Sequence, residues 1–380
     1  MNIIDRFKNQ RVSQIIHYKN RVAIDCRIIK PDRIESCFRV KKSNSLSVTL
    51  LKKSGFEKAH YGGTQTCGSV WSDPVCSTII SESRRVHLQR SIDNWRSYCP
   101  CNTVSMITYT TPHNIFQTLT DVIDIQDKAI RIMKQQPQKG KYKVWRTIME
   151  EMMSIGSYTG REITFGQNGW HPHRHELPFH VHTDENKLKQ WRDELTIAFA
   201  FAFQKAGGEI GNFDAFFKRA VTLAQINDDD GYKRISAYIT TVEGSTWSLS
   251  QEATKGLSKT AKNGNITPFG MLQDIREGKS NSGLYSIKFY EYAKTMQGKK
   301  QFFPSPGLNY LLKTHWKTDE EIMKESVPGD IFYVFSQNEF QSILDLDIRG
   351  EIVELTKGVS EFEFMDLIDK YLKSFNQKIS

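Results

Sequence analysis

Three histidines stand at alternate positions, 171, 173 and 175, directly after the turn-type sequence of residues 166–169. Strand side chains alternate between faces, so a strand here places His171, His173 and His175 on one face, and a hairpin joins it to residues 161–165. Imidazoles side by side on a sheet suit a divalent cation. The competing interpretation is a set of surface histidines or ligands of a structural metal. Three histidines in five residues, out of ten in the chain, favour the functional interpretation.

The net charge of +9 is concentrated at one end of the chain. Residues 1–60 contain fourteen Lys and Arg against five Asp and Glu, whereas the other 320 residues are balanced at 38 of each. A basic segment beside a neutral body is typical of polyanion binders, which gain affinity by neutralising phosphates. The alternative is a solvated basic arm without a specific partner.

Composition and length indicate a globular protein of two or three domains. The longest apolar run, residues 197–203, is far below the roughly 20 residues that cross a bilayer, so no membrane association is expected. The first residues are charged from Asp5 onward, and no secretion signal is predicted. Six cysteines in 380 residues then indicate a reducing cytoplasm, in which metal binding is favoured over disulfides.

Apolar spacing predicts a strand over residues 104–110 and another over 161–165. It predicts helices over residues 145–153, 185–206, 213–225, 232–242 and 281–298. Asn114 is predicted to be the N-cap of a further helix, whose apolar positions run from Phe116 to Met133.

Helix 232–242 carries two tyrosines, Tyr232 and Tyr238, about sixty residues after the histidine strand. Tyrosine is a poor nucleophile at its usual pKa of about 10. It becomes effective opposite a metal that polarises the electrophile. Attack on a phosphodiester then yields a covalent phosphotyrosine and a free 3′-hydroxyl without ATP. Either tyrosine taken alone is better explained as a half-buried residue with one hydrogen bond.

Three segments resemble, in this order, the motifs of rolling-circle replication initiators, the plasmid Rep proteins of the HUH endonuclease superfamily. They are residues 106–113 (Met-Ile-Thr-Tyr-Thr-Thr-Pro-His), 169–175 (Gly-Trp-His-Pro-His-Arg-His) and 237–241 (Ala-Tyr-Ile-Thr-Thr). Further similarity lies at residues 252–256, 267–269 and 305–308, so the resemblance covers roughly residues 60–315. It implies an α+β fold with a central antiparallel sheet flanked by helices. The implied regions are a basic N-terminal region with a zinc-binding element (1–103), a nicking domain (104–250) and a mixed C-terminal region (251–380).

Carried over by position, the resemblance implies that His173 and His175 are the metal pair and that Glu162 completes the site. His171 is an additional or substitute ligand, and the ion is Mg²⁺ or Mn²⁺. Tyr238 is the implied nucleophile. Three residues of the first motif, Thr108, Thr110 and His113, are expected to shape the site or contact DNA.

Three positions depart from the motifs. Arg174 replaces the usual apolar residue between the paired histidines, and Thr241 stands where a lysine is common. Arg234, one helical turn before Tyr238, is positioned to supply the missing cation. Asp73 replaces the first cysteine of a Cys-Pro-x-Cys element.

A structural zinc site is still expected in this region. Cys67 and Cys76 provide two ligands, and Asp73 or His60 a further one. Cys99 and Cys101 are alternative donors, and buried free cysteines are the competing interpretation.

The implied function is replication initiation. The protein binds origin DNA, nicks its single strand and leaves a 3′-hydroxyl primer, with host polymerase, helicase and single-strand-binding protein as partners. The expected setting is the cytoplasm of a prokaryotic host, with a plasmid or phage as the source and a homodimer left open. The alternatives are a mobilisation relaxase or single-strand transposase of the same fold, and a non-catalytic, zinc-stabilised DNA-binding repressor. No Gly-x-x-x-x-Gly-Lys-[Ser/Thr] loop occurs, which disfavours the large relaxases that carry a helicase.

Overall fold

The computed structural model describes residues 1–24, 32–135, 145–240, 264–325 and 329–379. The chain divides into two compact units. The first contains residues 1–80, 269–293 and 317–380, and the second contains residues 81–268 and 294–316. Each unit therefore joins segments that are far apart in sequence. The division at residues 103 and 250 follows the chain instead, and it stays a prediction.

The described strands are β1 Val48–Lys52, β2 His60–Gly62, β3 Asn102–Thr110, β4 Gly156–Gly166, β5 Gly169–Val181, β6 Val221–Gln225, β7 Phe302–Pro304 and β8 Asp330–Phe335. The described helices are α1 Ile3–Ile24, α2 Arg33–Ser36, α3 Pro74–Tyr98, α4 Leu119–Gln135, α5 Trp145–Glu151, α6 Glu185–Lys205, α7 Phe213–Arg219, α8 Asp229–Thr240, α9 Pro268–Arg276, α10 Ser282–Met296, α11 Leu308–Leu311, α12 Asp319–Glu325, α13 Gln337–Asp345, α14 Arg349–Leu355 and α15 Glu361–Ile379. None of them is long and apolar enough to span a bilayer.

The second unit is built on a five-stranded antiparallel sheet in the order β6-β3-β5-β4-β7. One face packs against α4–α7, through a core that includes Tyr109 of β3 and Phe199 of α6. The other face packs against α3 and α8, through a core that includes Leu177 of β5 and Ile235 of α8. The predicted α+β architecture, a central antiparallel sheet flanked by helices, is confirmed.

The predicted hairpin joins β4 to β5. Gly166 pairs with Gly169, and Gln167 and Asn168 form the two-residue connection. Gly169 has φ of 89°, in the left-handed region that favours glycine. A Cβ there would lie 2.9 Å from the backbone oxygen of Asn114, so this turn also needs glycine for space. The turn fixes the register that sets Glu162 opposite His173.

Two predictions about local structure are wrong. Asn114 is not a helix cap, because its side chain accepts from the backbone N–H of Phe116 within a turn. The helix begins instead at Leu119, after Thr118 and Asp121 have exchanged backbone–side-chain hydrogen bonds.

The predicted helix over residues 213–225 is also wrong in its second half. Helix α7 ends at Arg219, and residues 221–225 form β6, which pairs with β3. The open edge of β3 supplies backbone partners that local periodicity does not reveal, and the β-branched Val221 and Thr222 suit a strand.

The first unit contains a three-stranded antiparallel sheet in the order β2-β1-β8. Its longest described helix, α1, lies in a segment where the sequence showed little periodicity. The reason is that α1 buries polar side chains: Gln10 donates to Asp73, and Ser13 donates to the backbone oxygen of Ser72. An amphipathic pattern is hidden when buried positions are polar.

Candidate active site

The paired histidines of β5 are oriented by two threonines of β3. His173 lies opposite Thr110 and His175 opposite Thr108 in the antiparallel register. In each pair the histidine Nδ1 lies 3.0 Å from the threonine Oγ1. These bonds fix the ring orientations and leave each Nε2 free of the threonines, the arrangement in which an outer hydrogen bond directs a ligand.

Glu162 and Tyr238 complete the group. Glu162 of β4 lies opposite His173, and its Oε2 is 3.2 Å from Nε2 of His175. The hydroxyl of Tyr238 donates to the same oxygen at 2.5 Å. The Tyr238 ring is also in edge contact with His175, with centroids 5.2 Å apart. The structure therefore brings together four of the predicted site residues.

Gly160 explains how α8 comes close enough. It lies opposite His175 on β4, and a Cβ at this position would lie 2.5 Å from Cγ1 and 3.2 Å from the backbone oxygen of Ile239. Ile239 is buried against the sheet next to Tyr238 in sequence. The missing side chain thus permits the approach that carries Tyr238 to Glu162.

Burial controls ionisation in the group. It lowers the pKa of His173 to about 3 and that of His171 to about 4, so both imidazoles are neutral at pH 7. Burial opposes ionisation of Glu162, but the hydrogen bond from His175 and the nearby histidines outweigh it and lower its pKa to about 2. Burial and then Glu162 raise the pKa of Tyr238 well above its usual value.

Two imidazoles and one carboxylate form a donor set suited to a divalent ion such as Mn²⁺. His173 is neutral and can donate its lone pair, and both rings are held by threonines. The donor atoms are nonetheless spread more widely than those of the cysteine group described below. By residue type, His173, His175 and Glu162 are candidate ligands of a metal with open positions, the kind of centre that accepts a phosphate oxygen.

His171 and His113 form a second histidine pair beside this group. Nδ1 of His171 lies 3.2 Å from Nε2 of His113, and Nδ1 of His113 lies 3.0 Å from the backbone oxygen of Thr111. The His171 and His173 ring centroids are 4.4 Å apart. His113 therefore contacts the group through His171.

The remaining predicted residues of this region lie apart from the group of His173, His175, Glu162 and Tyr238, or outside the residues that the structure describes. Arg234 is exposed, and its guanidinium is 3.6 Å from Asp228. The hydroxyl of Tyr232 is buried and donates to the backbone oxygen of Ile226, a structural role. Thr241 lies outside the described residues.

Arg174 points to the opposite face from the histidines, as strand alternation predicts. It meets neither solvent nor an open surface there, because it is buried beside Asp127 at 3.4 Å and against the ring of Phe303. Burial and then the neighbouring Arg161 lower the pKa of Arg174 to about 10.

A cysteine group lies in the first unit. The Sγ atoms of Cys37, Cys67 and Cys76 and a carboxylate oxygen of Asp73 are buried within 4.8 Å of one another. Cys37 and Cys76 are 3.5 Å apart, and Cys67 is 3.3 Å from Asp73. Among the described residues, this group has the converging donor atoms of a metal centre. Three thiol ligands and one carboxylate suit Zn²⁺.

The group contains three of the predicted ligands, Cys67, Cys76 and Asp73, and adds Cys37, thirty residues before Cys67. His60, the predicted alternative to Asp73, lies outside the group on β2. No ligand-type spacing connects Cys37 to the others, so only its residue type could have indicated it. Cys99 and Cys101 are joined in a disulfide and are not alternative donors. The preference for metal binding over disulfides therefore fails for this pair.

The chain resembles a replication protein in sequence. It is 22% identical over 290 residues to "Protein rep" of Streptomyces lividans, in an alignment that covers 63% of this chain. The chain spans 61% of the length of that relative. No protein-family model and no solved structure matches it.

Proposed function

We propose that the protein is a replication initiator of the Rep class that nicks one strand of its origin DNA and remains linked to the 5′ end. The class is supported by the similarity to "Protein rep" of Streptomyces lividans. The chemistry is supported by one observation above all: the Tyr238 hydroxyl is hydrogen-bonded to Glu162 beside two histidines that threonines orient.

Tyr238 is the proposed nucleophile. Glu162 accepts the phenolic hydrogen bond, which aims the oxygen at a phosphate beside His173 and His175. The phenolic proton is released to solvent. The tyrosine oxygen bonds to phosphorus as the P–O3′ bond breaks. The departing 3′-oxygen takes a proton from solvent and becomes the primer end.

His173, His175 and Glu162 are the proposed metal ligands, with His171 as an additional or substitute ligand. These residues would hold a divalent ion, which would supply polarisation of the scissile phosphate and stabilisation of charge on its oxygens. Thr108 and Thr110 hold the two histidine rings, and His113 holds His171.

The basic N-terminal region is the proposed origin-binding surface. Exposed lysines such as Lys41 and Lys53 supply the positive charge for phosphate contacts. Zn²⁺ held by Cys37, Cys67, Cys76 and Asp73 stabilises this region and takes no part in the chemistry. The three-region division, the cytoplasmic location and the host replication proteins as partners belong to the same proposal.

A nicking assay tests the chemistry. Single-stranded fragments tiling the neighbouring DNA are incubated with the protein and either Mn²⁺ or EDTA, and SDS-resistant protein–DNA adducts are measured. We expect an Mn²⁺-dependent adduct that is lost in Tyr238→Phe. The matched control is Tyr310→Phe, since Tyr310 is an exposed tyrosine of the same unit and is expected to retain the adduct.

Three outcomes contradict the proposal. An adduct that persists in Tyr238→Phe moves the nucleophile elsewhere. DNA binding without any adduct favours the repressor. A nick mapped to a transfer origin or a transposon end, in place of a replication origin, favours the relaxase or transposase.

A further inference from the structure

A cleft of about 590 Å³ opens beside the histidine pair in the second unit. It is lined by the tip of the β4–β5 hairpin, by the residues after β3 and by α7. Its polar lining residues include His171, Gln167, Asn168, Asn212, Arg219 and Asn265. This volume is in the range of pockets that hold small organic ligands, about 300–1,000 Å³.

The lining chemistry is selective. Among the described residues that line the cleft there is no Asp or Glu, and Arg219 supplies a positive charge. Four of the polar residues are amides, which both donate and accept hydrogen bonds. Apolar surface is provided by Ile210 and Phe216. An anionic ligand with a flat heterocycle and mixed hydrogen-bonding edges fits this lining, and a nucleotide has these properties.

The cleft and Tyr238 lie at opposite ends of the row of histidines on β5. Along β5 the order is His175, His173, His171, and then the cleft at the hairpin tip. Tyr238 contacts His175 and Glu162, at the other end of this row. Residues 171 and 175 lie about 13 Å apart along a strand. The cleft and Tyr238 therefore approach a phosphate at the histidine pair from opposite sides.

In-line displacement at phosphorus places the attacking and leaving oxygens on opposite sides of the phosphate. Since Tyr238 attacks from the His175 side, the leaving 3′-oxygen faces the His171 side. We propose that the cleft binds the nucleotide immediately 5′ to the nick, the one that carries the leaving 3′-oxygen, and thereby sets base preference at that position. This inference rests on the proposed nicking activity. It adds that the protein recognises the DNA base on the 5′ side of the nick.

The test uses the full chain and single-stranded oligonucleotides that span the mapped nick. One carries an abasic site immediately 5′ to the nick, a second carries it immediately 3′, and a third is unmodified. The rate of adduct formation with Mn²⁺ is measured at subsaturating DNA. We expect the 5′ abasic site to lower the rate about tenfold, from lost stacking and hydrogen bonds, and the 3′ abasic site to have a smaller effect.

Two cleft variants link this effect to the protein. Arg219→Gln removes the cationic lining residue, and its matched control is Lys218→Gln, which removes a charge from the same end of α7 outside the lining. Asn212→Ser removes the amide and keeps a side-chain oxygen that caps α7. We expect both cleft variants to nick the unmodified oligonucleotide more slowly and to lose most of the 5′ abasic penalty, while Lys218→Gln retains the full penalty.

The outcomes separate the two proposals. If the unmodified oligonucleotide forms no adduct, the nicking activity itself is overturned. If adducts form and the 5′ abasic penalty is the same in the wild type and the cleft variants, the cleft assignment is overturned and the nicking activity stands. If the cleft variants change the 3′ abasic penalty instead, the assignment to the 5′ side is wrong.

Discussion

Two threonine hydroxyls orient the imidazole rings of His173 and His175 on β5. Thr108 and Thr110 are a strand repeat apart on β3, and the register places each beside one histidine. Because each hydroxyl contacts Nδ1, Nε2 lies on the side of each ring away from its threonine, and Nε2 of His175 is 3.2 Å from Glu162. Loss of such an outer hydrogen bond loosens a ligand without removing it.

Thr110→Val keeps the shape of the side chain and removes the hydrogen bond to His173. We expect Mn²⁺ affinity to fall by about 10- to 100-fold, as for other second partners of metal-bound histidines. The Mn²⁺ dependence of adduct formation measures it, with the exposed Thr120→Val as control. An unchanged Mn²⁺ midpoint would show that the threonine does not orient a ligand.

His180 is a buried histidine of β5 outside the proposed ligand set. Its Nε2 is 2.7 Å from the Ser105 hydroxyl, and burial lowers its pKa to about 4. The unfolded chain, with an ordinary histidine pKa, binds more protons below pH 6.5, so stability is present above that pH and is lost as pH falls toward 4.

We therefore expect the free energy of unfolding to fall by about 1–2 kcal/mol on account of His180 between pH 7 and pH 5. Urea unfolding of His180→Gln at both pH values measures this, and the variant should show a smaller loss than the wild type. His182→Gln, at an exposed neighbouring position, serves as control. Equal pH dependence in His180→Gln and the wild type would contradict this account.

At the scale of elements, the candidate site depends on how closely α8 approaches the β4–β5 hairpin. The hairpin aligns Glu162 with the histidines, and α8 delivers Tyr238 across Gly160. The proposed nicking reaction therefore depends on the distance between α8 and the sheet at Gly160, which has no side chain.

Gly160→Ala should push α8 outward, because the new Cβ would lie 2.5 Å from Ile239. We expect at least about a tenfold slower adduct formation and a loss of about 1–3 kcal/mol of stability, as for other overpacked cores. Adduct kinetics and urea unfolding measure the two effects. Gly283→Ala, where a Cβ meets nothing within 4 Å, is the matched control. Wild-type kinetics in Gly160→Ala would show that the spacing is not critical.

At the scale of the whole molecule, the two units offer different metal chemistry. The first unit groups three thiols and a carboxylate, and the second groups imidazoles and a carboxylate. Thiolates select Zn²⁺, whereas the histidine and carboxylate set also accepts Mn²⁺. We therefore propose a structural ion in the first unit and a reactive ion in the second.

We expect purified protein to contain about one Zn²⁺ per chain, measured by elemental analysis. Cys37→Ser should lose the ion and lower the melting temperature, whereas Cys99→Ser should retain it. Asp73→Cys should bind Zn²⁺ more tightly, because it replaces a carboxylate with a thiolate. Equal zinc content in Cys37→Ser and the wild type would exclude this group as the site.

The features that the sequence determined by itself are those with a local signal. Alternation over two residues identified the histidine strand and its face, and the turn residues identified the hairpin that sets Glu162 opposite His173. The strand and the hairpin needed only neighbours along the chain or one turn. The resemblance to known motifs pointed to Tyr238, and its role stays a prediction.

Only the tertiary structure decided which distant segments meet. Cys37 lies beside Cys67, Asp73 and Cys76 because α1 packs against them, with Gln10 donating to Asp73 and Gln14 to the backbone oxygen of Cys37. Residues 221–225 become a strand because β3 has an open edge. Gly160, the cleft and the buried polar face of α1 are likewise products of packing. A contact between two distant segments does not produce a periodic pattern of apolar residues in either segment. It therefore cannot be found from the sequence of one segment alone.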